Sequence, residues 1–168
     1  MKQLISIFLV AILLSATACA DGNKLVAKGS TTPETKGVLS MKLNIQIDNG
    51  TSKHTLTATL NDNSSSRALI ELLKKGSIKI DMHDYGNFEK VGSLPASLPR
   101  NDTQITTEPG DIILYQGNQI TVYYDTNSWN FTRLGKVVSI NSTTPVTKTE
   151  LKQILGKGNV TAVISVQQ

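Results

Sequence analysis

The feature that most constrains this chain is a series of short runs in which apolar and polar residues alternate with a period of two. Leu43, Ile45 and Ile47 alternate with Lys42, Asn44, Gln46 and Asp48, and Leu56, Ala58 and Leu60 alternate with Thr55, Thr57 and Thr59. Successive side chains of a strand point to opposite faces, so each run predicts a strand with one buried face. Asn49-Gly50 between the two runs is a turn signal, and together they predict a hairpin. Ile78, Ile80 and Met82 continue the pattern. Ile112 to Tyr115 and Ile120 to Tyr124 flank Gly117-Asn118, which reads as a two-residue hairpin turn. Trp129 to Ile140, and then Val160, Ala162, Ile164 and Val166, supply the remaining strands.

The period changes twice. Asp62, Asn63 and Ser64 offer helix N-caps, Ala68, Leu69, Leu72 and Leu73 share one helical face, and Gly76 after Lys74 and Lys75 is a stop. Thr147 with Glu150 is a capping box ahead of Leu151, Ile154 and Leu155. Asp84 to Gly110, with Pro95, Pro99 and Pro109, reads as a long irregular loop, and Pro109-Gly110 fits a type II turn. Roughly seven or eight short strands with an early and a late helix predict a mainly β fold. A closed antiparallel β-barrel capped by the two short helices would leave no free sheet edge.

The N-terminal segment reads as a secretory signal. Lys2 precedes an apolar run from Leu4 to Leu14, and small residues lead to Cys19. The run is about ten residues, too short to span a hydrocarbon layer of roughly 30 Å. Ala16-Thr17-Ala18-Cys19 resembles a lipobox, with Ala16 where Leu is usual, and makes Cys19 a lipidation candidate. Cleavage after Ala18 or Ala20 is the alternative. The expected organisation is a signal over 1–18, a flexible tether over 19–40 and a folded domain over 41–168. The expected location is the cell envelope, anchored through lipid on Cys19, with a periplasmic or secreted soluble protein as the alternative.

Composition excludes several classes of function. One cysteine forms no intrachain disulfide and no Cys-based zinc site. The net charge of +4 is spread rather than gathered into a stripe, so no nucleic-acid partner is expected. His54 and His83 lack metal-ligand spacing, so neither a metal nor a cofactor is expected. No G-x-S-x-G, P-loop or cysteine nucleophile is present.

Three segments carry a resemblance: DYGNFEKVGSLPASLP from Asp84, QITTEPGDIILYQGNQI from Gln104, and NSWNFTRLGKV from Asn127. With SSSRALIELL from Ser64 they cover roughly Met41 to Ile140, and the chain resembles a bacterial family of cyclophilin-like domains. The resemblance implies a small barrel related to the cyclophilin prolyl isomerases. Those enzymes twist an X-Pro amide against a barrier of roughly 18–20 kcal/mol, with an arginine donor in an F-H-R motif soon after the first helix. The corresponding stretch here, Ile78 to Glu89, contains no arginine, and the family's F-M and Q-G-G-D elements are absent too.

The candidate ligand-binding residues are Tyr85, Phe88, Glu89, Gln104, Tyr115, Gln116, Gln119, Trp129 and Arg133. Tyr85, Phe88 and Glu89 either line a pocket mouth or plug a barrel end, with Glu89 paired to Lys90 or Arg133. Tyr115, Gln116 and Gln119 flank the hairpin turn, where amides suit a ligand backbone, and Gln104 sits in the long loop. Trp129 is either a ligand platform or a lid on the core. Arg133 is the best arginine for a carboxylate or amide oxygen, its alternative being a structural bond. Together these residues favour a binding module for a peptide or small polar ligand at the barrel rim. The alternatives are a prolyl isomerase rebuilt around Arg133 and a structural accessory domain.

Overall fold

In the computed structural model, which describes residues 41–141 and 143–167, Leu43, Ile45 and Ile47 are buried on one side of strand β1 (Lys42–Asp48). The predicted signal, the tether and Cys19 lie outside the described residues. β1 pairs with β2 (Lys53–Leu60), and Gly50 at φ +80° serves the intervening turn. Asn63 caps α1 (Ser64–Leu73) by accepting the Ser66 N–H at 2.9 Å, and its amide also donates to the Arg133 carbonyl at 2.9 Å.

β3 (Ile78–Tyr85) follows, and then the first departure from expectation. The stretch read as one irregular loop contains two strands, β4 (Glu89–Ser93) and β5 (Thr103–Thr106). β4 has no apolar alternation because its inward positions are Lys90 and Gly92. A Cβ on Gly92 would sit 2.4 Å from Ile80 Cγ2 and 2.9 Å from the Asp81 carbonyl oxygen, so β3 and β4 approach closely only with glycine there.

β6 (Asp111–Tyr115) and β7 (Gln119–Tyr123) form a hairpin. Its positive-φ residues are Gln116 (+51°) and Gly117 (+81°), one position earlier than the Gly117-Asn118 reading. Pairing of Tyr115 with Gln119 leaves three residues in the loop, so Asn118 follows the turn proper. Gly110, at φ +93°, fits the expected type II turn, with the Asp111 N–H donating to the Glu108 carbonyl.

The chain continues through β8 (Ser128–Ile140), the short β9 (Thr144–Pro145), α2 (Lys148–Leu155) and β10 (Val160–Val166). The capping box of Thr147 and Glu150 is formed at the start of α2. Every pairing is antiparallel. The ladder β2–β1–β10–β3–β4–β7–β6–β8 returns from β8 to β2, closing an eight-stranded barrel. Its core holds Leu43, Ile45, Ile112, Leu114, Ile120, Val122 and Ile164, and the helices cap it with Leu69 and Leu73 from α1 and Leu151, Ile154 and Leu155 from α2.

Two features place a second apolar cluster on the outside of the barrel. β8 is thirteen residues long, and its first part pairs with β5 rather than with the ring alone. A bulge opposite Ile112 and Ile113 leaves Leu134 as the extra residue of β8. Ile113, Tyr123 and Phe131 are buried there, with Phe88, Ile105 and Tyr115 packed against them.

Candidate functional site

The outer face carries the site. Tyr85, Glu89 and Tyr123 stand opposite one another across β3, β4 and β7. The next row is His83, Val91 and Thr121, and Gln119 pairs with Tyr115 in the row beyond. Alternation sends Glu89 and Val91 outward and Lys90 and Gly92 inward. All of these residues except Thr121, with Asn127, Trp129 and Phe131, line a pocket of about 310 Å³. That is at the small end of the roughly 300–1,000 Å³ typical of small-molecule sites. A larger hollow along α2 is lined by residues 148–157 alone, and its Lys148 and Lys152 already pair with Asp125.

Aromatic rings form the pocket floor. Tyr85 meets Phe88 edge-on at 5.8 Å, Phe88 stacks on Tyr123 at 5.9 Å, and Tyr123 and Tyr115 both contact Phe131, at 5.8 and 6.4 Å. Trp129 stands at the wall 60% exposed and Tyr85 is 59% exposed, whereas Glu89 is only 7% exposed. Glu89 Oε2 and Thr121 Oγ1 are buried without a hydrogen-bond partner. Burial pushes the Glu89 carboxyl above its ordinary value, and the nearby hydroxyls of Tyr123 and Thr121 and the His83 ring offset only part of this. Burial and the neighbouring Glu89 raise the Tyr123 hydroxyl far above its ordinary range, so it keeps its proton and remains a donor.

The structure thus gathers Tyr85, Glu89, Tyr115, Gln119 and Trp129 around one pocket, on the outer wall of the barrel rather than at its rim. Phe88 lies behind Tyr123 as support. Gln104 is exposed on β5 opposite Asn130, and Gln116 is exposed in the hairpin turn, its amide donating to the Tyr115 hydroxyl at 3.2 Å. Neither lines the pocket.

Arg133 does not line it either. Its Nη2 donates to Asp111 Oδ2 at 2.9 Å and to the Thr106 carbonyl at 3.3 Å, because the bulge sets it over the start of β6. The pairing of Glu89 with Lys90 or Arg133 is not formed: Lys90 points into the barrel and bonds Asp84. The central part of the presumed pocket loop is also elsewhere. Leu94 and Leu98 are buried in the core, and their N–H groups donate to the Asn118 and Gly117 carbonyls at 2.8 and 2.7 Å.

Sequence reasoning missed His83, Val91, Tyr123, Asn127 and Phe131. A signal existed for one of them, Tyr123. The unbroken run Ile112–Tyr115 of β6 and the adjacent Val122 and Tyr123 of β7 imply that both faces of these antiparallel strands are covered.

A family model described as the Cyclophilin-like family matches residues 46–165, spanning nearly the whole barrel and every pocket residue. The chain belongs to the Cyclophilin-like family. The match agrees with the closed barrel. In this Cyclophilin-like domain, Arg67, Arg100 and Arg133 are paired with Asp62, Asp102 and Asp111, and none reaches the pocket. No curated relative matches the chain.

Proposed function

We propose that this Cyclophilin-like domain is a binding module for a peptide or small polar ligand, received in the outer-face pocket. The observation that carries the reading is the Glu89 carboxyl, buried with one oxygen unpartnered beside two large exposed rings. A buried polar atom without a partner destabilises a fold by roughly 1–3 kcal/mol. The exposed faces of Tyr85 and Trp129 likewise gain no burial from folding alone. Both features are accounted for by a ligand that brings a donor to Glu89 and surface to Tyr85 and Trp129.

Prolyl isomerisation of the cyclophilin type needs a donor at the prolyl nitrogen. The paired state of Arg133 weighs against its filling that role. A thermal-shift screen of peptides and small polar compounds tests the reading. A hit is expected to raise the melting temperature of the native protein and to lose its effect in Trp129→Ala. Cleavage-coupled turnover of X-Pro peptides that vanishes in a folded Arg133→Ala variant would overturn it in favour of an isomerase.

We also infer that the domain works at the cell envelope, tethered by lipid on Cys19, from the signal pattern ahead of it. Mass spectrometry of the mature N-terminus is expected to find acylated Cys19. A free N-terminus would refute the anchor and leave the pocket reading untouched.

A further inference from the structure

We propose that the pocket selects its ligand through a cationic amine, seated on the Glu89 carboxylate and walled by the rings of Tyr85, Tyr115 and Trp129. The inference rests on the binding-module reading and gives it a ligand class.

The charge balance comes first. Among the described residues lining the pocket there is one carboxyl, no lysine and no arginine; His83 is the one basic side chain, and it already acts on Glu89, so a bound anion would meet no lysine or arginine. An ionised carboxylate only accepts hydrogen bonds. The Lys90 ammonium, one residue away, is committed to Asp84 and the Gly158 carbonyl on the other side of the sheet. No salt bridge to Glu89 is formed within the protein, and a ligand ammonium would supply one, adding to the influence of the neighbouring His83 ring. A neutral donor would satisfy the oxygen and leave the charge uncompensated.

The rings point the same way. Cations are attracted to the faces of Trp and Tyr by roughly 0.5–2 kcal/mol. Among the described residues the one cation–ring contact is Lys90 on Tyr124, and Tyr124 faces the barrel interior. The pocket rings are therefore not occupied by a cation of the protein itself. Two of them, Tyr85 and Trp129, are more than half exposed, while Glu89 is buried between cross-strand tyrosines. A carboxyl set among exposed aromatic rings suits an ammonium head with apolar substituents, whether a free quaternary amine or the side chain of a lysine.

Trp129 is the only tryptophan in the chain, so its fluorescence reports directly from the pocket wall. Two probe pairs, each differing in charge, distinguish the sources: choline against 3,3-dimethyl-1-butanol, and N-acetyl-lysine amide against N-acetyl-norleucine amide. At least one cation is expected to shift Trp129 emission saturably at a concentration at least about tenfold lower than its neutral partner. Preference confined to the first pair identifies a free quaternary amine, and preference confined to the second identifies a lysine-bearing peptide. Glu89→Gln, with its circular dichroism unchanged, is expected to bring each pair to similar affinity. Equal binding of cation and neutral partner to the native protein overturns the inference and leaves the binding module standing. Discrimination that survives in Glu89→Gln overturns the role of Glu89. Absence of any response to all four probes overturns the inference too, and the wider compound screen then decides the module by itself.

Discussion

Asp84→Ala is expected to destabilise the barrel by about 3–5 kcal/mol, the usual consequence of removing one partner from a buried ion pair. For a domain of this size that lowers the melting temperature by on the order of 10–20 °C. Lys90 is fully buried. Its ammonium donates to Asp84 Oδ1 at 2.8 Å and to the Gly158 carbonyl at 2.6 Å, and it lies 5.5 Å from the centre of the Tyr124 ring. The Tyr124 hydroxyl also donates to Asp84. Burial works against ionising Asp84, but the ammonium and the hydroxyl prevail and hold its carboxyl below the ordinary value. Without Asp84, the Lys90 amine is left inside the barrel with only the Gly158 carbonyl and the Tyr124 ring to face it. Lys90→Met removes the charge that needs a partner and is expected to be milder. The double variant Asp84→Ala/Lys90→Met is expected to recover most of the loss, because an apolar filling often matches a buried pair. Urea unfolding of the three variants checks the ordering. Equal losses for Asp84→Ala and Lys90→Met, with no recovery in the double variant, would show that the pair is not the unit of stability.

That pair also explains why part of the fold was hard to read. Asp84 and Lys90 stand opposite each other in the β3–β4 ladder facing inward, and Tyr85 and Glu89, the next pair, face outward into the pocket. A strand whose inward residues are lysine and glycine shows no apolar period, so β4 is invisible to alternation. β5, with residues Thr103 to Thr106 mostly exposed, is equally silent. β1, β2, β3 and β10, which line the main core, obey the period of two and were legible, as were both helix caps. The membership of the pocket was partly legible too, because Tyr85, Glu89, Tyr115, Gln119 and Trp129 fall in one polar-aromatic stretch of sequence. Its placement was not. Whether Tyr123 or Tyr124 faces the outside depends on how β7 sits between β4 and β6, and only ring closure fixes that. Arg133 misled for a related reason: the bulge at Leu134 determines which groups it meets, and a one-residue irregularity leaves no mark on composition.

The second large effect runs in the opposite direction. Glu89→Gln is expected to stabilise the unliganded protein by about 1–3 kcal/mol at pH 7, since it replaces a buried carboxyl with one unpartnered oxygen by a neutral group of the same shape. The pH dependence gives a sharper test. Burial raises the folded-state value of Glu89 above its ordinary 4.5, so the folded protein holds this proton more tightly than the unfolded chain does. The contribution of Glu89 to stability is therefore full below about 4.5 and is lost as pH rises through the raised value. Asp84 acts with the reverse sign: its folded-state value is lowered, so its stabilisation is present at neutral pH and fades as pH falls. Asp84 is common to the native protein and the Glu89→Gln variant, so its own titration drops out of the comparison and only its coupling to Glu89, together with that of His83, remains within the difference. The difference between their urea midpoints should be near zero at pH 4 and should widen towards pH 8 in favour of the variant. A flat difference, or one favouring the native protein at high pH, would mean that Glu89 is already satisfied within the fold. The case for an ammonium ligand would then lose its footing. The expected gain instead marks Glu89 as a group whose presence the fold does not need, which is the usual mark of a residue retained for what it binds.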